Sequence, residues 1–143
     1  MIVKNNLSEL DRIFYELETV CSKFGFSLEL QNNLCLCVDE VFSNIVKHAY
    51  DDDKEHEIEI LFDFDASGRK FSITISDFGK PFNPLEAKTP DLTLDLQERE
   101  IGGLGLFIVS NIMSSLEYKR HNCMNRLKMT KIIDDEVNGK TRT

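Results

Sequence analysis

A chain of 143 residues, 41% of them hydrophobic, can build one sizeable core and is too short for several. Its 25 acidic against 17 basic side chains leave a net charge of −8, which argues against direct nucleic-acid binding but is compatible with a basic protein partner. No apolar run reaches the about twenty residues of a membrane span, and no leader or lipidation signal is present, so the sequence reads as cytoplasmic. Cys21, Cys35, Cys37 and Cys123 form no CxxC pair and stand at no zinc spacing with histidine, so they read as reduced, packed thiols.

Residues 2–6 suit a short edge strand or an extended arm. Ser8 is the predicted N-cap of a first helix, with Glu9 and Asp11 where the helix dipole favours acids. Leu10, Ile13, Phe14, Leu17, Val20 and Phe24 give that helix one apolar face, and Gly25 stops it. Ser27 opens a second helix that runs to about Tyr50, carried by Leu34, Val38, Val41, Phe42, Ile45 and Val46. Asp51-Asp52-Asp53-Lys54 is a polar break.

Ile58, Ile60 and Phe62 alternate with Glu57, Glu59, Leu61 and Asp63 as in a strand, and Phe71, Ile73 and Ile75 alternate with Ser72, Thr74 and Ser76 after a turn at 66–69. The two make an antiparallel hairpin ending at Asp77-Phe78-Gly79-Lys80-Pro81-Phe82. Residues 83–101 hold Pro84, Pro90 and the acids Asp91, Asp95, Glu98 and Glu100 without a sustained apolar face, and read as a lid, with a plain disordered excursion as the alternative. Leu104, Phe107, Ile108 and Ile112 form a third helical face that starts from glycines. Leu116 and Tyr118 begin a strand, 121–124 turns, and Leu127, Met129, Lys131 and Ile133 end the sheet. Residues 134–143 are a polar tail. This order predicts a single domain over 1–143: an α+β, two-layer sandwich with a mixed, mostly antiparallel sheet and helices on one face.

Three stretches carry chemistry. On the second helix, Glu40, Asn44 and His48 are four apart and share a stripe beside the apolar face, where a carboxylate and an amide are costly unless they bind something. Glu40 can serve as a general base, and Asn44 offers a neutral oxygen to Mg²⁺. Asp77, closing a strand, can accept a hydrogen bond from an exocyclic amine such as adenine's, with Gly79 letting a base approach; Asp-x-Gly is equally the signature of a plain turn. Gly102-Gly103-Leu104-Gly105-Leu106 leads into a helix whose first amides can hold phosphate, or simply lets a loop enter a helix. Neither a P-loop nor a Rossmann fingerprint is present.

Taken in order, these stretches resemble the boxes of the GHKL ATP-binding superfamily. Glu40-x-x-x-Asn44-x-x-x-His48-Ala49-Tyr50 matches its N box, Asp77-x-Gly79-x-Pro81-Phe82 its G1 box, and Gly102–Val109 its G2 box. The chain is most similar to bacterial anti-sigma factor serine/threonine kinases of the RsbW and SpoIIAB type. That narrower match rests on His48-Ala49-Tyr50, on Thr89-Pro90-Asp91-Leu92, on 101–113 and on 125–131.

The resemblance implies an ATP- and Mg²⁺-dependent protein kinase that phosphorylates an anti-anti-sigma (STAS-type) protein and regulates a sigma factor, with a homodimer possible. It implies Glu40 as general base, Asn44 as Mg²⁺ ligand, Asp77 as the adenine-reading carboxylate and Gly79 beside the base. Gly103, Leu104, Gly105 and Leu106 fall at the phosphate-side hinge, and Lys47 where some members place a basic phosphate contact. Where the family has a Gly-Thr pair near the nucleotide, this chain has Met124-Asn125, and Asn125 is expected to bond through water. No dimerisation helix with a phosphoacceptor histidine is present, which disfavours a sensor histidine kinase. The rival reading is a nucleotide-responsive binding module that regulates a partner without transferring phosphate.

Overall fold

The structure, a computed structural model, describes residues 1–81 and 103–133. The expected lid over 83–101 and the tail over 134–143 lie outside the described residues. Five strands, β1 (Ile2–Lys4), β2 (Glu57–Phe64), β3 (Lys70–Asp77), β4 (Ser115–His121) and β5 (Met124–Ile132), form one sheet in the order β1-β2-β3-β5-β4. Among the described residues three α-helices, α1 (Leu10–Phe24), α2 (Leu28–His48) and α3 (Gly103–Ile112), accompany the sheet in an α+β fold.

Among the described residues every strand pairing is antiparallel, which corrects the expected mixed sheet. The reason lies in the topology. α3 joins β3 to β4, which run the same way, but β5 lies between them and no parallel pair forms.

Period-two alternation sends Ile58 and Ile60, Ile73 and Ile75, and Leu127 and Met129 to one face of the sheet. There they share a core with Ile13, Leu17 and Cys21 of α1 and with Leu34, Val38, Val41 and Phe42 of α2. The opposite face carries exposed Glu57, Glu59, Leu61 and Asp63. At the end of β2 and the start of β3, Phe64 and Phe71 pack with Phe24 and Phe26, with Phe24 stacked on Phe64 at 4.5 Å. This aromatic cluster anchors the end of the hairpin away from Asp77.

The helix boundaries follow from local chemistry, with one departure. Gly25 has a left-handed φ of 71° and returns its N–H to Cys21 and Ser22, ending α1. Ser27 then accepts from the Leu30 N–H at 3.1 Å and starts α2. Ser8, however, does not cap α1. Asn6 accepts the Ser8 N–H at 2.9 Å first, and a 3₁₀ turn over Leu7–Glu9 leads into the helix.

The third helix also turns differently from its predicted face. Leu106, Val109 and Met113 are buried, while Phe107, Ile108 and Ile112 are half-buried. Apolar residues surround α3 almost completely, so periodicity cannot choose among its sides. Its C-terminal end is fastened to β5: Lys131 Nζ donates to the Ile112 carbonyl at 2.8 Å, the Ser114 N–H to Thr130 O at 2.8 Å, and the Ile132 N–H to Ser114 Oγ at 2.9 Å.

Candidate functional site

Asp77 is the last residue of β3 and shares the core face with Ile73 and Ile75, so the strand carries its carboxylate inward. It is 5% exposed. Its Oδ1 accepts two hydrogen bonds, from the Gly79 N–H at 2.8 Å and from Asn125 Nδ2 at 3.0 Å. Among the described residues nothing bonds to Oδ2. A buried carboxylate with one oxygen left over is suited to a ligand that donates.

The turn after Asp77 is fastened to the end of α2. The Lys80 N–H donates to Ala49 O at 2.8 Å, and the Phe78 N–H donates to the Tyr50 hydroxyl at 3.0 Å. Lys80 Nζ meets Asp51 at 2.9 Å. Gly79 fits so closely that a Cβ there would stand 2.5 Å from Ala49 Cβ and 2.6 Å from Ala49 O. The glycine of this box is thus required by the helix beneath it. Tyr50 is held in turn by stacking on His56, with ring centroids 3.9 Å apart, and burial pushes its hydroxyl pKa up.

Asn125 lies opposite Asp77 in the β3–β5 register and is 6% exposed. Its amide nitrogen donates to Asp77 Oδ1, to Lys80 O at 2.9 Å and to Gly79 O at 3.3 Å. Its oxygen accepts from the Tyr118 hydroxyl and from Arg120 Nη1 at 2.8 Å. Arg120 Nη1 also reaches Gly79 O at 3.1 Å. Arg120 was not singled out in the sequence, and Tyr118 only as a strand residue. Both come from β4, and only the β4–β5 register brings them beside Asn125.

Nine residues earlier on α2 than Ala49, about 13 Å of helix, lies Glu40. Its half-buried carboxylate rests against the first turn of α3: a Cβ on Gly105 would overlap Oε2 and stand 2.9 Å from Cδ. Asn44, one turn on, is half-buried, whereas Lys47 and His48 are exposed. Gly103 opens α3, Leu104 follows in its first turn, and Leu106 is buried. One helix thus touches both halves of the candidate site, Gly105 at its Glu40 end and the Asp77 turn at its Ala49–Tyr50 end. Among the described residues no group of three His, Cys, Asp or Glu is placed to hold a metal ion alone.

An antiparallel α+β sandwich with a buried strand-end aspartate, a glycine turn against a helix and a carboxylate at a glycine-led helix start is the architecture of an ATP-binding kinase-like domain. The chain belongs to the histidine kinase-like ATPase domain family, whose profile matches residues 3–131. It is similar to the serine/threonine-protein kinase BtrW of Bordetella bronchiseptica, at 33% identity over 116 residues covering 81% of this chain and 80% of that protein. It is also similar to the serine-protein kinase RsbW of Bacillus subtilis, at 29% identity over 84% of this chain and 76% of the relative. In structure it resembles the blue-light activated histidine kinase of Erythrobacter litoralis EL346, with a TM-score of 0.56 at 16% identity over 78% of this chain. The chain spans 33% of that kinase's length, and the likeness is one of fold. No helix among the described residues is long and apolar enough to cross a membrane.

Proposed function

We propose that the protein is an ATP- and Mg²⁺-dependent serine/threonine protein kinase whose substrate is a small STAS-type anti-anti-sigma protein, and that it regulates a sigma factor. The observation that carries this reading is the contact of the Glu40 carboxylate with Gly105 on a helix that also holds the Asp77 turn. A ligand lying along α2 has its base at one end and its phosphates at the other.

In this reading Asp77 Oδ2 accepts from the adenine amine, with Gly79 shaping the wall beside the base. Gly103, Leu104, Gly105 and Leu106 set the first amides of α3 toward the phosphates. Lys47 extends from its exposed position as a further cationic contact. Asn125 acts on the nucleotide through Asp77. Asn44 would hold a Mg²⁺ ion, since such sites need few protein ligands, and the ion would neutralise phosphate charge. Glu40 takes the proton of the incoming serine or threonine hydroxyl as its oxygen bonds to the γ-phosphorus and the bond to ADP breaks.

The deciding experiment incubates the protein with γ-labelled ATP, Mg²⁺ and purified STAS-type proteins. Label on a serine or threonine of one of them is expected. ATP binding with no transfer to any of them would replace this reading with a nucleotide-responsive binding module.

A further inference from the structure

Asn125 is a buried amide whose bonding capacity is fully used. Its two N–H groups face three acceptors, and its oxygen receives two donors. The direction of this network is fixed by Arg120. A guanidinium only donates, so the group beside it must be the Asn125 oxygen. The nitrogen must then face Asp77 and the carbonyls of Gly79 and Lys80. A flipped amide would set oxygen against three acceptors and N–H against Arg120.

We propose that Asn125, oriented by Arg120, is the positioning residue that holds Asp77 as an acceptor and thereby sets which purine the site takes. This rests on the nucleotide reading above. With Oδ1 occupied by two N–H donors, the carboxylate offers Oδ2 to the ligand. A 6-amino purine donates there. A 6-oxo purine brings an oxygen to an oxygen and is rejected.

The test compares dissociation constants for ATP and inosine triphosphate, which differ at the amine and the adjoining ring nitrogen, in the full chain and its variants. Unaltered protein is expected to prefer ATP by at least about 100-fold, because a buried acceptor would otherwise be left unpaired. Asn125→Asp keeps the shape but turns a donor into an acceptor, so a proton must be shared with Asp77. Arg120→Met keeps the side-chain stem but frees the amide to flip. Both are expected to narrow the ATP preference at least about tenfold, while Arg120→Lys, which still donates, retains it. Equal weakening toward both nucleotides, with the ratio unchanged in Asn125→Asp and Arg120→Met, would mean mere scaffolding and overturn the proposal. Binding of neither nucleotide by the unaltered protein is a separate result that removes the nucleotide reading itself.

Discussion

Gly105 and Glu40 meet so closely that the missing side chain of one is the space occupied by the carboxylate of the other. A glycine that sequence reading assigns to a phosphate-side hinge therefore has a second duty. It leaves the candidate base room at the seam between α2 and α3.

Replacing that glycine separates activity from stability. In Gly105→Ala the new methyl displaces the flexible end of Glu40, not backbone. Alanine also favours a helix over glycine by about 1 kcal/mol. Thermal unfolding is expected to stay level or rise, while phosphotransfer falls at least about tenfold. Loss of stability in step with activity would contradict this account.

Gly79→Ala is expected to do the opposite. Here the obstacle is the Ala49 carbonyl oxygen, 2.6 Å from the new carbon, and backbone cannot swing aside. The turn must shift and strain the Lys80–Ala49 bond, at a cost of about 1–3 kcal/mol. Urea denaturation measures it, and ATP affinity should fall with it because Asp77 moves with the turn.

Glu40→Gln and Asp77→Asn divide the labour of the site. The glutamine keeps the shape at residue 40 without a base, so ATP binding persists while transfer drops about 10²- to 10⁴-fold. The asparagine at 77 keeps an oxygen for the Gly79 and Asn125 N–H groups but sets an NH₂ where Oδ2 would face the ligand amine, and ATP affinity should fall about tenfold or more. Isothermal titration with ATP and a labelled-phosphate assay resolve the two effects. Normal transfer by Glu40→Gln would remove the base assignment.

The thiols give a pH signature. Burial pushes Cys21 and Cys37 up to about 12 and Cys35 to about 11; Cys35 and Glu18 add to the rise at Cys21 and Glu18 to that at Cys35, while at Cys37 the Lys131 ammonium works against it. In the unfolded chain these groups ionise near 9, so above that pH the unfolded state loses protons that the folded state keeps. Their contribution to stability is therefore full below pH 9 and declines from about pH 9 toward 12. Denaturant midpoints should fall over that window. At pH 8 a thiol reagent should modify exposed Cys123 rapidly, half-buried Cys35 slowly, and buried Cys21 and Cys37 only on unfolding.

How much of this was legible in advance depended on the range of the interaction. The faces of α1 and α2 and the β2–β3 hairpin are set by local periodicity, and residues such as Leu17, Phe42, Ile60 and Ile73 went where their spacing sent them. The start of α1 was not legible, because Asn6 and Ser8 compete for one turn. Nor was the buried side of α3, because Leu106 and Phe107 are equally apolar. Asp77 and Gly79 lie in one segment, so their hydrogen bond is local. The bond from Asn125 spans 48 positions and needs the β3–β5 register, and the role of Arg120 needs β4 as well. The close fits of Gly79 and Gly105 were hidden for the same reason. Each glycine answers to a helix distant in sequence.

The fastening of α3 to β5 has a mechanical consequence. Lys131, Ser114 and Ile132 clamp one end of a ten-residue rod, while the other end begins at Gly103 and bears on Glu40. A displacement at its glycine end would therefore meet the Glu40 carboxylate directly, while its far end stays tied to the sheet.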